Sequence, residues 1–382
     1  MWITNNQNKS FKTRKKKYNY LMVFIFKHLI SFMHVSIEEK LARKQTDIIK
    51  RMRGLRRPKL NDIFKRKFYI VPRDIVVSNY QRTIPAVIFN PGVTVKEDTV
   101  LTFPRLIFDY YKYVSSIGYF EVQISDLVNN TMDKPIYVKI LLWPKEIWEF
   151  LGCEDARAFS FKDRILILYT GKGYWYKDGK LFRRDVLGFV EFTNSMEMIR
   201  KGYFKIVSKS GELIPKSNKD SAFIEINGKE ASILTRPEIG GQHICWRAIA
   251  DIDKLVIFDY SLEPALPTEK WEVKVGWSTN VVKLSSNEYL VGWHGVLRLN
   301  LSYANGLAII DKQGMLLATT NYVLAPKGLQ EEYGDRPLVI FGNGLLKSKE
   351  KVLWVGGVSD YCIGVFETNL DTIIENMKWI KG

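Results

Sequence analysis

The chain has 382 residues, of which 46% are hydrophobic and 13% aromatic, enough to build a substantial core and too much for a disordered polymer. Its net charge of +16 is concentrated: residues 1–67 hold 19 Lys/Arg against four Asp/Glu, leaving 38 basic and 37 acidic residues elsewhere. The body is therefore nearly neutral, so bulk charge does not make it a specific nucleic-acid binder. Cys153, Cys245 and Cys362 are far apart with no CxxC pair, which argues against a disulfide framework or a zinc site. They suit a reducing, cytoplasmic setting, and no metal is expected.

The N-terminal arm opens with a basic cluster, Lys12-Thr-Arg-Lys-Lys-Lys17, followed by an apolar stretch from Tyr20 to Met33. That layout resembles the charged and hydrophobic regions of a signal peptide. However, Lys27 and His28 interrupt the stretch, it is too short to cross a bilayer, and no small-residue cleavage site follows. Stable membrane insertion is not expected, and Met22 or Met33 would serve equally well as a start.

From Ser36 to about Arg53, an N-cap serine with Glu38 and Glu39 leads into Leu41, Ile48, Ile49 and Met52, a helical apolar stripe stopped by Gly54. This helix is a candidate for packing on the body or for homo-oligomer formation. The expected organisation is a basic extension over 1–67, partly disordered or helical, and one β domain over 68–382.

From Phe68 onward the pattern turns to period-two runs of five to eight residues, among them Tyr137-Val-Lys-Ile-Leu-Leu, Arg164-Ile-Leu-Ile-Leu-Tyr and Glu288-Tyr-Leu-Val-Gly-Trp. Turns such as Lys177-Asp-Gly-Lys180 and Asn227-Gly-Lys separate them, and long helical stretches are nearly absent. An all-β, antiparallel architecture follows. A strand ending in Tyr-Thr-Gly, Trp-His-Gly or Val-Gly-Gly recurs at Tyr169, Trp293 and Val355, at separations of 124 and 62 residues. A unit near 60 residues fits a four-stranded blade, and roughly 300 residues hold five of them, which predicts a five-bladed β-propeller.

Such a fold gathers its chemistry at one mouth, from strand ends and loops of different units. Charged residues embedded in apolar or Gly-rich strand ends are therefore the candidates: Asn90-Pro91, Arg105, Gly152-Cys-Glu154-Asp155-Ala-Arg157, Lys219-Asp220 with Thr235-Arg236-Pro237, Trp293-His294-Gly295, and Asp360. Glu154 and Asp155 beside Arg157 supply a carboxyl group whose neighbours can move its pKa, as protonation of a leaving glycosidic oxygen requires. By itself a Glu-Asp-x-Arg run reads as a surface ion-paired turn, and a lone His as a structural hydrogen-bonder. The set is informative through its order.

In that order the set resembles glycoside hydrolase family 130, the β-mannoside phosphorylases and β-mannosidases built on five-bladed propellers. Asn90-Pro91, Arg105, Gly152 to Arg157, Tyr169-Thr170, Lys219-Asp220, Thr235-Arg236-Pro237, Trp293-His294-Gly295, Glu331 to Gly334 and Asp360 match its motifs in sequence over about residues 85–370. Ala156, Thr235 and Trp293 stand where the family has Pro, His and Tyr.

The resemblance implies inverting cleavage of a β-mannoside in a small oligosaccharide. Asp155 would be the acid, its proton relayed through a mannose hydroxyl. Asn90, Arg105, Glu154, Asp220, Glu331 and Asp360 would bind the sugar. Arg157, Lys219, Arg236 and His294 would cradle inorganic phosphate as co-substrate, with no other cofactor; Arg183 and Arg184 are further candidates, at least one of them expected instead on an exposed hairpin. The cationic cluster favours phosphorolysis. Hydrolysis is the alternative, with Glu225 or Glu331 activating water. A binding-only glycan propeller would need no Asp155.

Overall fold

The computed structural model describes residues 35–380, so the basic cluster at Lys12–Lys17 and the apolar stretch after Tyr20 lie outside the described residues. Among those residues, the strands form four sheets of four, nine, eight and six strands. The nine-stranded sheet is two meanders joined edge to edge. One comprises Val87–Lys96, Thr99–Ile107, Ser115–Gln123 and Ile136–Leu142, and the other Gly152–Phe161, Arg164–Lys177, Lys180–Thr193 and Met198–Tyr203. The parallel pairing of Ser115 with Gly152 is the seam. Counting the halves of that sheet separately, the described strands fall into five meanders along the chain, antiparallel except where Lys205–Ser208 runs parallel to Val256–Phe258 and Ile75–Val77 parallel to Ile136–Leu142.

Two-residue turns set the hairpin registers. Lys177 pairs with Lys180 around Asp178 (φ 50°) and Gly179 (φ 75°), both left-handed as a twist-matched hairpin turn requires. The pairs Lys96–Thr99, Phe161–Arg164, Asn227–Glu230 and Ser348–Lys351 also close around two residues, the first of them left-handed (Glu97 φ 56°, Lys162 φ 56°, Gly228 φ 61°, Lys349 φ 54°). Between turns the strands are buried along most of their length: Tyr303–Ile310 wholly, and Val87–Lys96 and Tyr289–Leu297 in all but the last one or two residues. Trp246, Trp277, Trp293 and Trp354 are buried to within 1% of complete exclusion, and the apolar runs of neighbouring meanders pack face to face.

Both chain ends are stitched into this body. Lys65–Ile70 pairs antiparallel with Cys362–Asn369, so a strand from before the first meander completes the last one. The helix Ile37–Met52 starts in a capping box, with the Ser36 hydroxyl accepting from the Glu39 amide and the Glu39 carboxylate accepting from the Ser36 amide. Its Ile37, Leu41 and Ile48 enter the core around Trp246 and Trp277, so its apolar stripe is covered by the protein's own sheet. Beyond it, Arg56 is buried against Glu272 (2.7 Å) and lies over the Trp293 ring at 4.5 Å. No described helix is long and apolar enough to cross a membrane.

Candidate active site

The first strands of three meanders share one irregularity. Register breaks fall between Phe89 and Gly92, between Glu154 and Arg157, and between Lys219 and Ala222. Within each break sits a polar, non-glycine residue in the left-handed region: Asn90 (φ 47°), Asp155 (φ 55°) and Asp220 (φ 54°). Asp360 (φ 51°) adopts the same conformation in the turn after Lys351–Val358. A bulge leaves its extra residue out of the ladder and re-aims the side chain. Each such backbone costs of order 1–3 kcal/mol, and repeated strain of one kind at one end of the sheets marks a site.

These four side chains line a single cavity of about 230 Å³, together with Arg105, Glu154, Lys219, Arg236 and His294. Close approach of the strands depends on glycine. A side chain at Gly357 would collide with the Asn90 amide, and one at Gly276 would meet the Asp220 carboxylate at 2.7 Å.

The Asn90 amide donates to Asp155 Oδ1 (2.8 Å), and Arg105 Nη1 reaches the same oxygen at 3.3 Å. Lys219 Nζ lies 3.8 Å from Oδ2. Arg105 also donates to Glu154 (2.8 Å) and to the Ser115 hydroxyl (2.8 Å), and Lys172 donates to Glu154 (3.0 Å). Burial by itself would raise the Asp155 carboxyl, but Arg105, Lys219, Arg157 and the Asn90 amide outweigh it and hold it below the usual range. With no anion bound, Asp155 is thus a carboxylate.

Asp220 is held in the same way, against the pull of burial, by Arg236 (2.6 Å), Lys219 and Arg157. His294 is pushed well below its ordinary value, by burial first and then by Arg236, Lys274 and Arg157, so it is a neutral ring at pH 7. Its Nδ1 faces the Ser278 hydroxyl (3.0 Å), and the ring stacks on Tyr303. Asp360 goes the other way. Burial, with Asp155 and Asp335 adding and Arg105 and Arg336 opposing, lifts it to about 6.

Five expected residues sit elsewhere. Glu331 faces Arg66 (3.0 Å) and the Tyr69 hydroxyl (2.8 Å) instead of the cavity, and its backbone carbonyl accepts from Ser359 (2.8 Å). It is a buried anchor beneath the Asp360 turn, not a cavity residue. Arg157 lies behind the cavity wall, donating to the carbonyls of Ser278 (2.9 Å) and Asp155 (2.7 Å). It acts on the pocket through charge and backbone position. Glu225 opens onto a different cleft, where it binds Tyr289 and Lys283. Arg183 and Arg184 lie on the long Arg164–Thr193 hairpin and do not line the cavity. Thr235 is fully buried and ties Ser221 to Asn218.

The cavity also holds residues that sequence reading passed over: Tyr113, Lys172, Lys274, Tyr303, Arg336 and Phe341. Lys172 follows the Tyr169-Thr-Gly motif directly, and Arg336 closes the Gly334-Asp-Arg run, so position beside a motif was the available signal. Lys274 sits in ordinary strand alternation and carried none. Neither Lys274 nor Arg336 has a carboxylate within 4 Å among the described residues, and each lies over the Tyr303 ring, at 5.3 and 5.0 Å. No cluster of His, Cys, Asp and Glu among the described residues could hold a metal.

Fold and cavity together define an all-β protein with a polar, charge-dense small-molecule site. The chain belongs to glycoside hydrolase family 130: the family model, described as beta-1,4-mannooligosaccharide phosphorylase, matches residues 54–379. It is accordingly a carbohydrate-active enzyme of the class formed by β-mannoside phosphorylases and hydrolases. No curated protein matches it in sequence.

Among solved structures it is similar to a beta-1,2-mannobiose phosphorylase from Listeria innocua in complex with beta-1,2-mannobiose, at 17% identity and TM-score 0.61, covering 84% of this chain and 98% of that one. A mannose phosphorylase from Leishmania mexicana in complex with phosphate ion matches at 12% identity and TM-score 0.56, covering 90% and 96%. A glycosyl hydrolase from Bacteroides ovatus matches at 14% and 0.57, covering 84% and 95%. At these identities the likeness speaks to the fold.

Proposed function

We propose that the protein cleaves β-mannosides by phosphorolysis, on a five-bladed β-propeller whose blades are the five meanders and whose mouth is the charged cavity. The observation that carries the nucleophile is the excess of cation. Lys219, Arg236, Lys274 and Arg336 line the cavity with Arg105 and Lys172, and among the described residues Lys274 and Arg336 have no carboxylate within 4 Å. An inorganic phosphate would supply the missing charge and be held by charge-assisted hydrogen bonds.

In the proposed reaction a phosphate oxygen attacks the anomeric carbon from the face opposite the leaving group. The glycosidic C–O bond breaks, and α-mannose 1-phosphate forms with inversion. The leaving oxygen takes its proton from Asp155 by way of a mannose hydroxyl. Asp155 can carry that proton because an anion beside Lys219 offsets the charges that keep the free carboxylate ionised. Arrival of phosphate thereby loads the acid. Asn90, Arg105, Glu154, Asp220 and Asp360 would orient the sugar ring.

Hydrolysis keeps one specific observation in its favour. Asp360, lifted to about 6, is a carboxyl suited to deprotonating water, whereas Glu225 and Glu331 are not in the cavity. Incubating β-1,2- and β-1,4-mannobiose with and without phosphate separates the two. Phosphate-dependent release of mannose 1-phosphate is expected, and free mannose at equal rates in both conditions would transfer the assignment to hydrolysis. The three cysteines are free and buried, which supports a reducing, cytoplasmic location.

A further inference from the structure

We infer that a second carbohydrate subsite lies beside the catalytic cavity, on the other side of the 108–114 loop, and that it holds the far end of a longer β-mannooligosaccharide; this rests on the mannoside reading above. The loop joins Thr99–Ile107 to Ser115–Gln123 and faces two ways. Tyr113 lines the charged cavity, while Phe108, Asp109 and Tyr111 line a separate cleft of about 590 Å³ with Tyr80 and Trp143. That volume falls within the roughly 300–1,000 Å³ of small-molecule sites.

The cleft has the chemistry of a sugar platform. Tyr80 is 42% exposed, Trp143 45% and Tyr111 89%, and such aromatic faces are costly to leave in water without a partner. Tyr80 is braced edge-on against Phe108 at 4.7 Å, which holds its ring in place. Ser116, 7% exposed, lines the cleft, and among the described residues its hydroxyl has no hydrogen-bond partner. A buried hydroxyl lacking a partner is destabilising unless a ligand or water meets it. A sugar ring offers the C–H face that aromatics take and the hydroxyl that Ser116 lacks.

Continuity with the catalytic cavity is short. Ser115 forms part of the cleft wall, its hydroxyl accepts from Arg105 Nε at 2.8 Å, and the same guanidinium reaches Glu154 and Asp155. A chain whose terminal mannose is held at Asp155 would therefore pass over the Tyr113 side of the loop and reach the cleft within a few sugar units.

The test compares Trp143→Ala and Ser116→Ala with the unmodified enzyme on mannobiose and on mannotetraose of the same linkage, with thermal unfolding as the control for folding. For Trp143→Ala, kcat/KM on the tetraose should fall about tenfold while mannobiose stays within about twofold. Ser116→Ala should move in the same direction by less. An equal loss on both substrates, or an unchanged tetraose rate, would overturn the subsite. Calorimetric titration of mannotetraose separates this from the catalytic reading. If the enzyme turns over neither glycan, the mannoside activity fails. Weaker tetraose binding by Trp143→Ala still supports the subsite, and identical binding rejects it.

Discussion

Replacing Asp155 by Asn changes one oxygen for one amide group and tests two consequences of the same geometry. In the wild-type site Oδ1 accepts from Asn90 at 2.8 Å and from Arg105 at 3.3 Å, and Oδ2 faces Lys219 at 3.8 Å. The asparagine carbonyl can keep the first two contacts, but its amide hydrogens then point at an ammonium group. A transferable proton is lost, and general acid catalysis contributes roughly 10²–10⁴-fold. Mannose 1-phosphate release should fall by that factor.

The variant also leaves Arg105, Lys219 and Arg157 short of one buried negative charge. Removing one partner from a buried charge cluster costs about 3–5 kcal/mol. With about 2.1 cal/mol/K of unfolding entropy per residue, a domain of this size shifts by roughly 1.4 °C per kcal/mol, so Tm should drop by about 5 °C. Phosphate restores the missing charge, so saturating phosphate should recover part of that drop. Calorimetric melting with and without phosphate, alongside product assay at 25 °C, reads both effects. Turnover above about a tenth of wild type would refute Asp155 as the acid. A Tm unchanged by the substitution would refute the charge accounting.

Three further outcomes follow from the site. Lys274→Met removes a cation that has no carboxylate within 4 Å among the described residues and should raise KM for phosphate about tenfold or more while leaving KM for mannobiose within a few-fold, measured by initial rates against phosphate concentration. Glu331→Gln, which weakens the hold on Arg66 and Tyr69, should lower Tm and denaturant midpoint by an amount on the order of 1–3 kcal/mol yet leave KM for phosphate unchanged, since Glu331 is outside the cavity. Asp360 has a folded pKa raised to about 6, so it binds a proton in the folded state that the unfolded chain has already released. Its contribution to stability is therefore favourable at low pH and lost as pH rises from about 4 through 6, and Asp360→Asn should flatten that part of the stability curve, as urea midpoints at pH 4.5 and 7 would show.

Much of this protein could be read before any coordinates. Period-two runs and Asp/Asn-Gly turns define strands and two-residue hairpins because both are local properties of the backbone. The ordered polar residues at strand ends brought Asn90, Arg105, Asp155, Lys219, Asp220, Arg236, His294 and Asp360 into one candidate set, and all eight line one cavity. Glu331 shows the limit. Glu331 to Gly334 read as one motif, but Glu331 turns inward to Arg66, while Arg336, just beyond the motif, reaches the cavity.

Lys274 was indistinguishable from a solvated strand lysine, since only packing of Glu272–Trp277 beside the Asp220 bulge brings it to Tyr303 and Arg236. Glu331 lies in the short helix Leu329–Glu332, whose turn no strand pattern records, whereas Lys274 follows a register break between Glu272 and Lys274. A single extra residue at Asn90, Asp155 or Asp220 turns a side chain to the other face, and nothing in a run of residue types records where that residue is inserted. Residue order and turn chemistry thus determined which groups the chain carries and roughly where each strand ends. Direction, burial and the charge each group holds were decided by tertiary structure, because they depend on which strands from distant parts of the chain close around one cavity.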